Sequence, residues 1–159
     1  MKKMIRDGMG ALILVGFTAC AGSMPTNLGL REGSLAACPS SPNCVTSGDA
    51  DEAHSVAALE VEGDPAKAWD ALVELLESEP DARIVTNEGI YLHAEFTSAL
   101  MRYVDDVEFA MSVDRSEIDV RSASRVGYGD MSANRERVER VRDVLAARGV
   151  VRPTGPAAE

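Results

Sequence analysis

VDDVEFAMSV (residues 104–113), DRSE (114–117) and IDVRSASRV (118–126) read as the two arms and the turn of an antiparallel hairpin. A strand alternates its side chains between two faces. Val107, Phe109, Met111 and Val113 therefore point inward on the first arm, and Ile118, Val120, Ser122, Ser124 and Val126 on the second. Upstream, Ile90–Ser98 alternates in the same way, with Ile90, Leu92, Ala94 and Phe96 on one side and Tyr91, His93, Glu95 and Thr97 on the other. Asn87-Glu88-Gly89 is a turn joining it to a short strand, Arg83–Thr86, and Ser55–Glu62 reads as a further strand. Between these strands, Asp64-Pro65 announces a helix, with Asp as cap and Pro at the first helical position. Ala68, Trp69, Leu72, Leu75 and Leu76 form its apolar stripe to about Ser78, and Pro80 ends it. A second helix spans about Ala133 to Ala147, capped by Ser132 or Asp130, with Val138, Val141, Val144 and Leu145 as its core face. The order is β-α-β-β-β-β-α. A one-sided antiparallel sheet needs a cover that two amphipathic helices can supply. The expected fold is therefore α+β: a curved antiparallel sheet with both helices on one face, in a TATA-binding-protein-like arrangement. Trp69, Leu72, Phe96, Phe109, Val120 and Val141 are its expected core.

The other sheet face is left polar. Pairing Val113 with Ile118 sets Asp106 opposite Arg125 and Ala110 opposite Arg121, with Glu108 diagonal to both arginines. His93 and Glu95 belong to the same face. Such a surface is either a lattice of solvated cross-strand ion pairs or a binding face on which Arg121 and Arg125 clamp an anion or carboxylate. Asp105 turns the opposite way, toward the helices, and a buried carboxylate must be paired. Arg135, Asn134 or the amides opening the second helix are its expected partners. Ser122, Ser124, Arg125, Gly127, Tyr128 and Asp130 converge on the same corner.

Two basic lysines and Arg6 open the chain, and an apolar run from Met9 to Phe17 and then Thr18-Ala19-Cys20 follow. This is the layout of an export signal, and it is too short for the ~20 apolar residues that span a bilayer. The small residues before Cys20 resemble the lipobox of bacterial lipoproteins, which implies cleavage before Cys20 and its acylation. The alternative is an ordinary secretory signal cut nearby. Ala21 after the cysteine implies outer-membrane sorting, with the domain facing the periplasm. Cys38 and Cys44 remain, and an even pair in an exported chain reads as a disulfide rather than free thiols or a metal site. Such a short loop contributes roughly 2–2.5 kcal/mol by restricting the unfolded chain. His54 and His93 have no zinc-like spacing, so neither a metal nor a cofactor is expected. The net charge of -10 becomes -12 when residues 1–19, with three basic and one acidic group, are removed. Phosphate recognition rests on Lys and Arg, so nucleic acid is excluded as a partner, and the membrane is held by acyl chains. The expected organisation is a signal at 1–19, a lipidated flexible tether at 20–37, one domain at 38–148 and a disordered tail at 149–159.

Four stretches in order, Cys38-Pro-Ser-Ser-Pro-Asn-Cys44-Val45, Tyr103–Phe109, Arg121–Tyr128 and Asp130 with Asn134-Arg135, resemble the domain of unknown function 1499 family. The resemblance spans roughly residues 36–146 and implies an envelope-associated domain, often a lipoprotein, without an assigned activity. With no nucleophile–base motif in the chain, a non-catalytic module that binds a small molecule or protein through the polar face and the Arg125–Arg135 corner is the leading expectation. A periplasmic hydrolase or isomerase working through Asp105, Asp106 and Glu108, with His93, is the alternative.

Overall fold

A computed structural model describes residues 22–48 and 50–153. The signal at 1–19, Cys20 and the tail from residue 154 onward lie outside the described residues. The elements are β1 (Cys44–Thr46), β2 (Leu59–Glu60), α1 (Pro65–Ser78), β3 (Ala82–Asn87), β4 (Tyr91–Thr97), β5 (Val104–Met111), β6 (Glu117–Ser124) and α2 (Ala133–Ala147). They build one antiparallel sheet in the order β1-β6-β5-β4-β3, with β2 paired to the outer edge of β6 beyond β1.

Both helices form for the reasons written in their ends. The Asp64 carboxylate accepts a hydrogen bond from Ala66 N–H at 2.9 Å, and Pro65 sits where its missing N–H costs nothing. At α2, Asp130 rather than Ser132 does the capping. Its carboxylate accepts from Ser132 N–H at 3.1 Å and Asn134 N–H at 2.9 Å, whereas Ser132 is left-handed and makes no side-chain cap bond. The core lies between the helices and one sheet face, where Leu92, Ala94, Phe96, Val107, Phe109, Ile118 and Val120 meet Trp69, Leu72, Leu76, Val138, Val141 and Leu145. All six expected core residues are buried.

The α+β class and the helix positions agree with expectation, and several local readings change. The register of β5 on β6 is set by Met111 against Ile118, two residues from the expected pairing. The turn is longer than DRSE: the Asp114 carboxylate gathers Ser112 Oγ, Ser116 N–H and Ser116 Oγ, so Val113 belongs to the loop and is fully exposed. Glu108 consequently stands directly opposite Arg121 and Asp106 opposite Ala123. A two-residue shift preserves faces, so the sorting of inward and outward groups survives. The Ser55–Glu62 strand contracts to β2, flanked by single bridges from Ser55 to Thr46 and from Val61 to Val151. Strand β1 had no alternation to reveal it. The domain also runs past 148, since Val151 is fully buried and Arg152 N–H donates to Glu60 C=O. Gly149, at φ 70°, makes the reversal out of α2 that brings this segment back.

Candidate functional site

The pleat of β5 decides the geometry of every polar group singled out by sequence. Neighbouring residues on a strand point to opposite faces, so Asp105 and Asp106 are separated by the sheet itself. The expected single polar cluster is two clusters.

The first is the corner beneath α2. Arg137 donates from Nη2 to Asp105 Oδ2 at 2.6 Å and from Nη1 to Ser122 Oγ and Asn134 Oδ1. Its guanidinium lies over the Phe96 ring, 4.7 Å from the centroid. Asn134 is fully buried. Its Nδ2 donates to Asn43 C=O, Ser124 Oγ and Asp130 Oδ2, and its Oδ1 accepts from Ser122 Oγ at 2.6 Å. Asn43 in turn donates to Gly127 C=O. One buried amide thus ties β1, β6 and the start of α2 together, which is how buried polar groups are made tolerable. Arg135 is not the partner of Asp105. It donates to the carbonyls of Ser55 and Ala53 on the surface. Tyr128 points into solvent at 78 % exposure and takes no part. Arg137 and Arg142, the latter donating to the carbonyls of Ala57 and Ala58, lie outside the core face expected from the apolar residues of α2. The signal was present: 134, 137, 138, 141, 142 and 145 share one helical face.

The second cluster is the opposite sheet face, and it is buried rather than solvated. His93, Glu95, Asp106, Glu108 and Arg121 are all at most 8 % exposed. Arg125 grips Asp106 with two hydrogen bonds, Nε to Oδ2 at 2.8 Å and Nη2 to Oδ1 at 2.7 Å, and also reaches Glu95. His93 Nε2 lies 2.8 Å from Asp106 Oδ1. Arg83 closes the other side of Glu95 at 2.6 Å. Glu108 accepts from Arg121 Nη1, from Tyr91 Oη and from Gly29 N–H. Burial opposes ionisation of Asp106, yet the Arg125 and His93 bonds outweigh it and hold its carboxyl below the usual range. Glu95 is lowered in the same way by Arg83 and Arg125 against its burial. Burial, reinforced by Glu108, pushes the Tyr91 hydroxyl up, so Tyr91 is a hydrogen-bond donor. Three carboxylates therefore face three guanidiniums. Arg125 is wholly engaged, and Arg121 is paired with Glu108 through Nη1 while its buried Nε has no partner; Asp105, Asp106 and Glu108 are all engaged as acceptors.

What buries this face is the stretch read as a flexible tether. Gly22 packs so closely on Arg125 and Val126 that a Cβ there would stand 2.9 Å from Arg125 Cβ. Asn27 lies near Arg121 and Ala123, and Gly29 bonds Glu108. The stretch thus crosses the sheet from β6 toward β3, as a strap. Beyond it the Cys38–Cys44 disulfide is formed, as expected, and closes the loop that leads into β1. The strap leaves a cleft of about 500 Å³ at its far end. It is lined by Met24, Leu28, Gly29 and Leu30 of the strap, by Val85 and Thr86 of β3, by Glu88 and Ile90 of the turn, and by Tyr91 and His93 of β4. The register of β3 on β4 slips between Ile84 and Thr86, a bulge beside the cleft. Among the described residues no group of three or more His, Cys, Asp or Glu side chains is arranged to hold a metal ion.

A family model described as "Protein of unknown function (DUF1499)" matches residues 34–145. The match takes in β1 to α2 but not the strap. No curated protein matches the chain significantly.

Proposed function

We propose that this chain, which belongs to the DUF1499 family of proteins of unknown function, is a non-catalytic ligand-binding module of the bacterial cell envelope. In this reading it is acylated at Cys20 and held at the outer membrane, facing the periplasm. Its site is the cleft between the strap and the β3–β4 edge, in place of the arginine clamp expected on the sheet face. The observation that carries the reading is the composition of that cleft: largely apolar walls, with Thr86 and Glu88 among the lining, around two fixed polar groups, His93 braced by Asp106 and Tyr91 braced by Glu108. Ligand sites are commonly concave, mostly apolar and supplied with a few oriented polar groups. A compact, largely apolar molecule bearing one or two hydrogen-bonding groups fits it. The carboxylates of the alternative hydrolase or isomerase reading are occupied by arginines, which favours binding over acid–base work.

The test is native mass spectrometry of the protein extracted gently from its own envelope, beside a Thr86→Trp variant that fills the cleft from the exposed β3 edge. The expected outcome is a retained small molecule in the parent protein and its loss in the variant, with the melting temperature changed by a few degrees at most. Retention by both forms would place the ligand elsewhere, and absence from the parent protein would defeat the reading. Turnover of the retained molecule would make the protein an enzyme.

A further inference from the structure

From the distribution of exposed apolar side chains we infer that one end of the sheet, the end carrying the 98–103 and 125–132 loops, docks directly onto a lipid bilayer. The inference rests on the acyl-anchor reading above and adds an orientation to it. β4 ends at Thr97 and β6 at Ser124, and Arg125 N–H donates to Val104 C=O at the start of β5. Antiparallel pairing therefore puts both loops at the same end. They hold Leu100, Met101 and Tyr103, and Tyr128 and Met131, at 89, 56, 41, 78 and 97 % exposure, whereas the opposite end exposes Ile90 and Val113, one in each of two turns. Exposed apolar groups gathered at one place mark an interaction surface, and tyrosines belong at the level of lipid headgroups.

Two independent observations select a bilayer as the occupant. The first is where the chain starts. Gly22 is packed on Arg125 and Val126 at this same end, and Cys20 is two residues upstream. Two residues reach at most ~7 Å whatever their conformation. The strap consumes the length that a free tether would have had, so acyl chains on Cys20 would pull this end, and no other, against the membrane. The second is charge. Without residues 1–19 the chain's net charge of -10 becomes -12, which an anionic leaflet repels. The two loops contain a single carboxylate, Asp130, engaged in capping α2, together with Arg102; Arg125 is spent on Asp106 and Glu95. The opposite end carries Glu62, Asp64, Glu88 and Asp114 in its turns, and Glu60 and Glu117 at the strand ends beside them. Acidic groups rim the docking end at its margins: Glu79 and Asp81 on the β3 side, where Asp81 C=O accepts from Thr97 N–H, and Asp51 and Glu52 on the β1 side, next to Ala53, which shares a hollow with Gly129, Met131 and Ser132. The cleft would then open along the side of a domain standing upright on its apolar end.

The experiment is hydrogen exchange by mass spectrometry on the mature full-length protein, reconstituted in vesicles of phosphatidylethanolamine and phosphatidylglycerol. The Cys20→Ser chain free in solution serves as reference, and the N-terminal peptide is weighed in the same run. The expected result is an acylated Cys20 with exchange in 98–103 and 125–132 slowed about fivefold or more, while 87–90 and 112–117 are unchanged. A Leu100→Asp/Met131→Asp variant should keep its acyl mass and lose the protection. Acylated protein whose two loops exchange as in the free chain would overturn the docking and leave the anchor standing. Equal protection at both ends would overturn the orientation. An unacylated Cys20 would remove the anchor and this inference with it.

Discussion

Asp105 and Asp106 are adjacent in sequence and face opposite sides of one strand, Asp105 largely and Asp106 wholly buried, and the two sides are closed in different ways. Asp105 is covered by a helix. Its arginine comes from α2, and the same helix supplies Asn134, so cover and partner are a single rigid element packed on the core. Asp106 is covered by residues 22–30, an irregular strap that supplies one backbone hydrogen bond, Gly29 to Glu108, while all the charged partners come from the sheet itself. A buried charge network sealed by regular structure serves as scaffold. One sealed by a thin strap with a cleft along its margin retains a route for a ligand. The proposed ligand site accordingly belongs to the strapped face, and the corner to the scaffold.

The contrast can be broken most forcefully at Arg137. Arg137→Met keeps the length of the side chain and leaves Asp105 unpaired beneath α2, with Ser122 and Asn134 each short of a partner. Breaking a buried pair costs about 3–5 kcal/mol, and urea denaturation should show a loss of that size. A loss under about 1 kcal/mol would mean that the corner is not a keystone of the fold.

An intermediate effect is expected from acid, and it reports on the strapped face. Asp106 and Glu95 titrate below their ordinary values of 3.8 and 4.5 in the folded chain. The stability they contribute is therefore complete above those values and drains away as the pH falls below them toward the folded values. Glu117, raised by burial and by Asp119, Asp114 and Glu60, works in the opposite sense and blunts the effect. Thermal melts between pH 7 and pH 2.5 should show stability falling on the acid side, and Asp106→Asn should flatten that limb. A melting curve as steep in Asp106→Asn as in the parent chain would separate the acid response from this face.

The smallest effect is expected where the strap is fastened. Gly29 has φ 94°, a conformation costly for a residue with a side chain. Gly29→Ala should lower global stability by only about 1–2 kcal/mol, yet increase exchange of the strap amides and the accessibility of His93 to carbethoxylation. Unchanged His93 reactivity would show that the strap is not what shields it.

Much of the fold was legible because its elements carry their own boundaries. Asp64-Pro65 and Pro80 bracket α1, and the alternation of β4, β5 and β6 sorts core from polar residues. What alternation cannot supply is register, since moving by two keeps every residue on its face; the fault lay in reading Val113 as strand rather than loop. The members of both polar clusters were legible for the same reason, including His93 and Glu95. Their state was not, because burial of the polar face depends on GSMPTNLGL (residues 22–30), a stretch with no period that nonetheless packs. Arg137 and Arg142 occupy core positions of α2 by spacing, and their charge hid them. Rules that keep arginine at the surface fail where a carboxylate or free carbonyls lie within reach.

The strap also sets an order of events. Gly29 is made 79 residues before Glu108, the acceptor it docks on, and the surface it crosses does not exist until β4, β5 and β6 have paired. The first stretch of the domain to be synthesised is thus among the last that can come to rest. Until then, the most polar part of the interior stands open to water, and contacts this distant in sequence are slow to close.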